Sequence, residues 1–294
     1  MTHEGGAVIY NPTAGRGQGA KLVKEAQHLL GPAFTWIPTQ KAGHAEMLAR
    51  EAAKTNDVVV AMGGDGTVSD VCKGIIGSNA TLGVIPVGTG NDFARNLGLK
   101  LELGESVATI LGGVVRRIDI GRINGVPFVN NCGTGFDAQV MKTMNSGIRF
   151  TKGYTAFLLA ILKTLPSYPP FTLTLEYEDP NGVPATFKEK AMLVSALNGK
   201  MYGGGMVAAP FAEMDDGHLD VLIIKAVPKM QLLPLIGLVK GGGHMNHSAI
   251  TMLKVRRFTM QTIPPQPINI DGDLRGLTPA TVEVEPNVLK VMVR

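Results

Sequence analysis

The run Val58-Val59-Val60-Ala61-Met62-Gly63-Gly64-Asp65-Gly66-Thr67 decides how this chain is read. An apolar segment of strand length ends abruptly in a glycine-rich turn that carries a carboxylate. Short continuous apolar runs fit strands covered on both faces of a sheet. Working outward, residues 8–10, 34–37 and 82–87 have the same character. Between them, residues 20–30 and 45–53 are rich in Ala, Leu, Lys and Glu and lack internal Pro or Gly, which favours helix. The alternation predicts a nucleotide-binding α/β domain with a parallel sheet over residues 1–121. Farther on, residues 171–177, 190–196, 219–224 and 281–284 read as strands separated by Gly and Pro turns, Asp179 to Gly182 among them. Residues 122–294 are therefore expected to form a mainly antiparallel β-sandwich, interrupted by helical windows at 153–165 and 229–239, with the last strand able to return to the first domain.

In a parallel sheet, ligands bind beyond the C-terminal ends of the strands. Three of the four loops at that edge are unusual: Asn11-Pro12-Thr13-Ala14-Gly15-Arg16-Gly17-Gln18-Gly19, Gly63-Gly64-Asp65-Gly66-Thr67 and Gly88-Thr89-Gly90-Asn91-Asp92. Each leads into a predicted helix, where backbone N–H groups and the helix dipole can cradle a phosphate if no β-carbon blocks the approach. One such loop is most often a tight turn. Three on one edge, with Asp65 and Asp92 among them, point to a Mg²⁺-bound phosphate instead. Two better-known phosphate motifs fail. The first loop fits G-x-G-x-x-A, but the second strand ends in Thr39 with no acid for a ribose hydroxyl, and Ala20-Lys21-Leu22 lacks the glycine and the hydroxyl of a Walker loop.

Composition narrows the class. Hydrophobic residues make up 45% and charged residues 18%, so a packed core is expected rather than disorder. Cys72 and Cys132 have no CxxC partner, which excludes a disulfide framework and a zinc site and fits a reducing compartment. A net charge of +4 without a dense basic run favours an anionic surface and argues against nucleic acid. The N-terminus lacks the pattern of a secretory signal, and the most apolar windows, 154–165 and 232–239, are too short to span a bilayer. Of the six histidines, His244 and His247 are expected to be solvated in a polar Gly-rich loop, and no G-x-S-x-G elbow supports a Ser-His-Asp enzyme.

Gly63-Gly64-Asp65-Gly66-Thr67, together with Pro86-Val87-Gly88-Thr89-Gly90-Asn91-Asp92-Phe93-Ala94-Arg95 and supported by Asn11-Pro12, resembles the diacylglycerol kinase catalytic domain family in its soluble bacterial lipid kinase branch, related to sphingosine and ceramide kinases. The first piece alone is shared with NAD kinases; the second selects lipid kinases. Asp215-Asp216-Gly217-His218-Leu219-Asp220-Val221 and Ile270-Asp271-Gly272-Asp273 stand where the family has its DG-x-LDV and IDGE-like segments. The resemblance implies an ATP- and Mg²⁺-dependent kinase acting on a lipid hydroxyl, most simply diacylglycerol to phosphatidic acid. Asn11, Thr39, Gly63, Gly64, Asp65, Gly66, Thr67, Asp70, Gly88, Thr89, Asn91 and Asp92 would face the nucleotide. Asp65, Asp92 and Asp119 would surround the catalytic Mg²⁺, and a second, structural Mg²⁺ would be held by the Asp216 side chain with the backbone carbonyls of Glu213 and His218. The family's general base is a Glu; this chain has Asp273 there, one methylene shorter, with Asp271 as the alternative.

A kinase of that kind must reach lipid. The windows 149–165 and 225–240 place basic residues, Arg149 and Lys152 in the first, beside apolar ones such as Phe157, Leu158, Leu159 and Ile161. Either could dock on an anionic bilayer or pack into the β domain. Cytoplasmic, peripheral association with the inner face of the membrane is the expectation, and a homodimer is left open. NAD-kinase-like activity, a sphingoid-base kinase and a non-catalytic lipid-binding regulator remain as rivals.

Overall fold

The computed structural model describes residues 5–15, 19–147 and 154–294, which divide into two compact units. The first comprises residues 1–120 and 286–294, and the second residues 121–285.

In the first unit β1 (Gly6–Tyr10), α1 (Gly19–Leu30), β2 (Phe34–Pro38), α2 (His44–Ala52), β3 (Val58–Gly63), α3 (Asp65–Ile75), β4 (Thr81–Pro86), α4 (Asp92–Asn96) and α5 (Leu103–Gly112) follow in order, and β5 (Val114–Ile123) leads out of it. The four strands β2, β1, β3 and β4 lie side by side and parallel. Every residue of β3 and β4 is buried, as their unbroken apolar sequences require. Val23, Ala26 and Leu30 of α1 join Val8, Val58, Val60 and Ile85 of the strands in one core. Gly74 lets α3 lie close on α2: a β-carbon there would sit 2.4 Å from the Glu46 carbonyl oxygen.

The second unit is built from β6 (Val126–Phe128), β7 (Asn131–Gly135), α6 (Phe136–Gly147), α7 (Tyr154–Thr164), β8 (Phe171–Glu178), β9 (Pro184–Leu197), the short pair β10 (Met201–Tyr202) and β11 (Met206–Val207), β12 (Leu219–Lys225), α8 (Lys229–Gly241), β13 (Ile250–Val255), β14 (Arg257–Ile263), β15 (Pro267–Ile270), β16 (Asp273–Leu277) and the start of β17 (Ala280–Val293). Its strands pair antiparallel, in the order β16, β15, β7, β9, β8, β14, β17, with β12 also on β9 and β13 on β12. The far end of β17 runs parallel to β4 in the first unit, with Val291 opposite Leu82. Asn124 and Gly125, both at positive φ, close the β5–β6 hairpin, the conformation that Asn-Gly favours.

Sequence reading missed two helices. The α5 segment was assigned to no element, and α6 starts where the pattern predicts only β structure. Gly135 at φ 107 turns the chain from β7 straight into α6; a β-carbon there would lie 2.6 Å from the Met192 carbonyl oxygen. That turn is set by contact with β9, which local pattern does not reveal.

Candidate functional site

Two of the three glycine loops touch. Val87 N–H donates to the Gly63 carbonyl at 2.9 Å, so the sheet pairing of β3 and β4 continues into the loops. A β-carbon on Gly88 would lie 2.6 Å from the Gly64 α-carbon and 2.8 Å from Asn91 Oδ1, so this approach requires glycine. Asn91, left-handed at φ 54, folds its side chain back: Gly88 N–H donates to Oδ1 at 2.9 Å, and Nδ2 donates to the Gly88 carbonyl at 3.0 Å. Gly64 begins α3 with no side chain capping it, and the space beside Gly66 is open to 4 Å. An uncapped N-terminus of an eleven-residue helix beside open space is an anion-binding arrangement. Thr67 packs its side chain against Gly63, Thr89 is exposed, and Asp70 lies half-buried farther along α3.

The first loop is tied to the same sheet edge. Asn11 N–H donates to the Met62 carbonyl at 3.1 Å, and its Oδ1 accepts from Thr13 N–H and Oγ1. Thr39 N–H donates to the Tyr10 carbonyl at 2.8 Å, placing it just beyond β2. Arg16, Gly17 and Gln18 lie outside the described residues. A cavity of roughly 410 Å³ is lined by Gly15, Leu22, Val87, Gly88, Asn91 and Leu103, among others, which is room for a nucleotide.

Asp65 and Asp92 meet at the base of these loops. Asp65 Oδ1 accepts the Phe93 N–H at 3.2 Å, which fixes it against the first turn of α4. Burial, and next the Asp92 carboxylate, push the Asp65 carboxyl above its ordinary range, while the backbone N–H groups of Phe93, Asn91 and Asp92 pull it down. Two crowded carboxylates beside an uncapped helix N-terminus suit a Mg²⁺ ion, which binds through one or two carboxylates plus substrate phosphates. Asp119, fully buried on β5, receives the Asn287 N–H on Oδ1 at 2.8 Å and so also braces the returning strand β17.

The remaining predicted acids belong to the second unit. Asp271, at φ 49, accepts backbone N–H groups from Val129 at 3.0 Å, Asn130 at 2.9 Å and Asn131 at 3.2 Å. Both its oxygens thus hold the β6–β7 turn, which makes it a positioning group. Asp273 opens β16, is exposed, and has Arg275 Nη2 at 3.5 Å. Asn130 was not singled out by sequence reading. It is buried, yet among the described residues its Oδ1 has no partner, which marks a place for water or a substrate hydroxyl.

Asp137 was also missed. It sits buried in the first turn of α6 and is, among the described residues, the one charged group lining a cavity of about 40 Å³ whose other walls include Phe136, Val140, Ile161, Leu222 and Leu232. A carboxylate directly after Gly-Phe would have been the only signal. Burial raises its carboxyl to about 6, against the N–H of Ala138 and the Asn269 amide, which lower it. The neutral form is therefore favoured on folding, and stability present below 3.8 is lost as pH rises through about 6. Asp137→Asn is expected to flatten the unfolding free energy across that window and to raise Tm at higher pH; a wild-type pH dependence in the variant contradicts the assignment.

One expectation is corrected. His244 is fully buried rather than solvated, with Nε2 3.0 Å from the Ala208 carbonyl oxygen; burial lowers its pKa. The Gly-rich sequence around it conceals how tightly α8 packs beside β11. At the 213–220 turn, Asp216 Oδ1 accepts the His218 N–H at 2.9 Å and Oδ2 meets the Lys254 ammonium at 2.5 Å. Both oxygens are thus engaged by the chain.

A family model described as the diacylglycerol kinase catalytic domain matches residues 6–123, and one described as the YegS C-terminal NAD kinase beta sandwich-like domain matches residues 130–293. A diacylglycerol kinase of Bacillus subtilis (strain 168) is 32% identical over 279 residues, covering 92% of this chain and 90% of the relative. A diacylglycerol kinase of Staphylococcus aureus (strain MRSA252) is 30% identical over 279 residues, covering 93% and 87%. Two crystal structures from Bacillus anthracis str. Sterne share the fold: one has a TM-score of 0.84 at 25% identity, covering 100% of this chain and 96% of the other. The second, of a diacylglycerol kinase, has a TM-score of 0.77 at 23% identity, covering 100% and 98%.

Proposed function

The chain belongs to the diacylglycerol kinase family and is a lipid kinase, and from that premise we propose that it transfers the γ-phosphoryl group of ATP to the hydroxyl of diacylglycerol, giving phosphatidic acid, with Mg²⁺ as cofactor. The observation that carries the donor half is the Asp65–Asp92 pair at the junction of the Gly64 and Gly88 loops. Phosphoryl transfer asks little covalent work of a protein; it asks for positioning and for neutralisation of charge on the γ-phosphoryl oxygens. The N–H groups opening α3 would bind the phosphate chain, and Asp65 and Asp92 would hold Mg²⁺, which supplies the positive charge. Asp273 is the carboxylate proposed to take the proton of the acceptor hydroxyl, and Asp271 keeps the loop carrying Asn130 in place.

The cavity beside Asp137 supports an apolar acceptor, since its lining is aliphatic and aromatic but for that carboxyl. At about 40 Å³ it admits only a few methylene groups without rearrangement, so acyl chains would have to part α8 from the strands. Purified protein, labelled ATP, Mg²⁺ and mixed lipids, followed by organic extraction, tests the reading. Label in phosphatidic acid is expected. Label in a water-soluble nucleotide would indicate an NAD-kinase-like activity, label on a sphingoid base the related lipid reaction, and no transfer a regulator; each would overturn it.

The proposed partner is an anionic lipid surface. On α7, Leu158, Leu159 and Leu162 are exposed beside Lys163, and on α8 Met230 is 84% exposed beside Lys229, whose ammonium donates to the Pro166 carbonyl. Arg149 and Lys152 lie outside the described residues, as does the side chain of Phe157. Among the described residues, no helix is long and apolar enough to cross a membrane. Co-sedimentation with liposomes is expected to grow with anionic lipid content and to fall with added salt; binding indifferent to both contradicts this surface.

A further inference from the structure

The turn between β11 and β12 and the start of β12 are acidic: Glu213, Asp215, Asp216 and Asp220 fall within eight residues. The antiparallel register of β12 and β13 sets Lys254 directly opposite Asp220. From there the lysine reaches its ammonium to Asp216 Oδ2 at 2.5 Å, within the electrostatic range of Glu213 and Asp220 as well. The other Asp216 oxygen is taken by His218 N–H at 2.9 Å, and His218 Nδ1 lies 2.8 Å from the Asp216 backbone oxygen. Gly217, at φ 72, closes the turn.

We propose that Lys254 is the resident cation of this turn, standing where the family resemblance places a divalent metal, so that the turn is held by a strand-borne ammonium and needs no Mg²⁺. Two observations converge on this. The cross-strand register delivers the ammonium, and both Asp216 oxygens are engaged by donors of the chain. Mg²⁺ demands near-octahedral oxygen ligands at about 2.0–2.1 Å and gives up its waters reluctantly. Placed on Asp216, it would share a carboxylate with an ammonium and meet like charge at a few ångströms. A lysine on a neighbouring strand meets neither obstacle. The inference is independent of which hydroxyl the enzyme phosphorylates.

The local readout is hydrogen–deuterium exchange of the amides of residues 213–220 in the full chain, without nucleotide, in EDTA and in millimolar Mg²⁺. In the wild type, exchange is expected to be the same in both. Lys254→Met, which keeps the stem and removes the charge, is expected to exchange about tenfold faster in EDTA and to be slowed again by Mg²⁺, which can then reach the vacated carboxylates. Lys254→Arg is expected to keep the wild-type pattern. Two results overturn the proposal: a wild-type turn that slows about tenfold on adding Mg²⁺, or a Lys254→Met turn that exchanges like wild type in EDTA. If Lys254→Met does not fold, the wild-type comparison decides.

Discussion

Asp65→Asn is expected to lower lipid kinase turnover by about 10²–10³-fold while leaving Tm unchanged or raised. The two effects separate because they arise from different properties of one carboxyl. Asparagine still offers an oxygen to the Phe93 N–H, so the link from the start of α3 to α4 survives. What disappears is a negative charge that burial and Asp92 already oppose in the folded chain. Its removal relieves the fold and deprives the site of a metal-binding group. Purified variant and wild type are compared by initial rate at saturating ATP and by thermal denaturation. A parallel fall in activity and Tm would make Asp65 a structural group, and full activity would remove it from the metal site.

The second large effect is a contrast between two glycines. At Gly88, alanine places a methyl 2.6 Å from the Gly64 α-carbon and 2.8 Å from Asn91 Oδ1, and the first of these neighbours is backbone that cannot swing aside. The loops must separate, so Gly88→Ala is expected to weaken ATP binding by about tenfold or more and to cost about 1–3 kcal/mol of stability. At Gly66 a β-carbon meets nothing within 4 Å, and the residue lies in the first turn of α3. Alanine there should gain about 0.5–1 kcal/mol in stability through helix propensity. If the space beside Gly66 is where a phosphate sits, Gly66→Ala becomes more stable and yet binds ATP less well. Titration calorimetry with Mg²⁺·ATP and thermal denaturation of both variants check the pair; a Gly66→Ala variant that binds ATP like wild type would place the phosphates elsewhere.

Much of the first unit is written locally. Residues 58–63 and 81–86 alternate with helices in the order the strands pair, and the glycines after them mark the junction that Gly64 and Gly88 form. Asp65 and Asp92 could be read because each is embedded in such a loop. The second unit is less legible because its decisive contacts cross between strands. Lys254 carries no motif; only the β12–β13 register brings it to Asp216. Asp271 stands in a recognisable segment, but its grip on the N–H groups of residues 129–131 depends on the pairing of β15 with β7. His244 looks solvated in a Gly-rich stretch and is buried, with its ring against the Ala208 carbonyl 36 residues earlier in the chain. Asp137 is visible as a residue but not as a buried acid until Phe136, Val140 and Leu222 are seen to surround it.

The convergence of two glycine loops on one triphosphate is the feature on which the donor half of the chemistry rests. It can be read directly by hydrogen–deuterium exchange of the wild-type chain with Mg²⁺ and a non-hydrolysable ATP analogue. Amides of residues 64–67 and of residues 88–92 should become protected together, at the same nucleotide concentration. Protection of only one loop, or of neither while the nucleotide is demonstrably bound, would show that these glycines serve the fold alone.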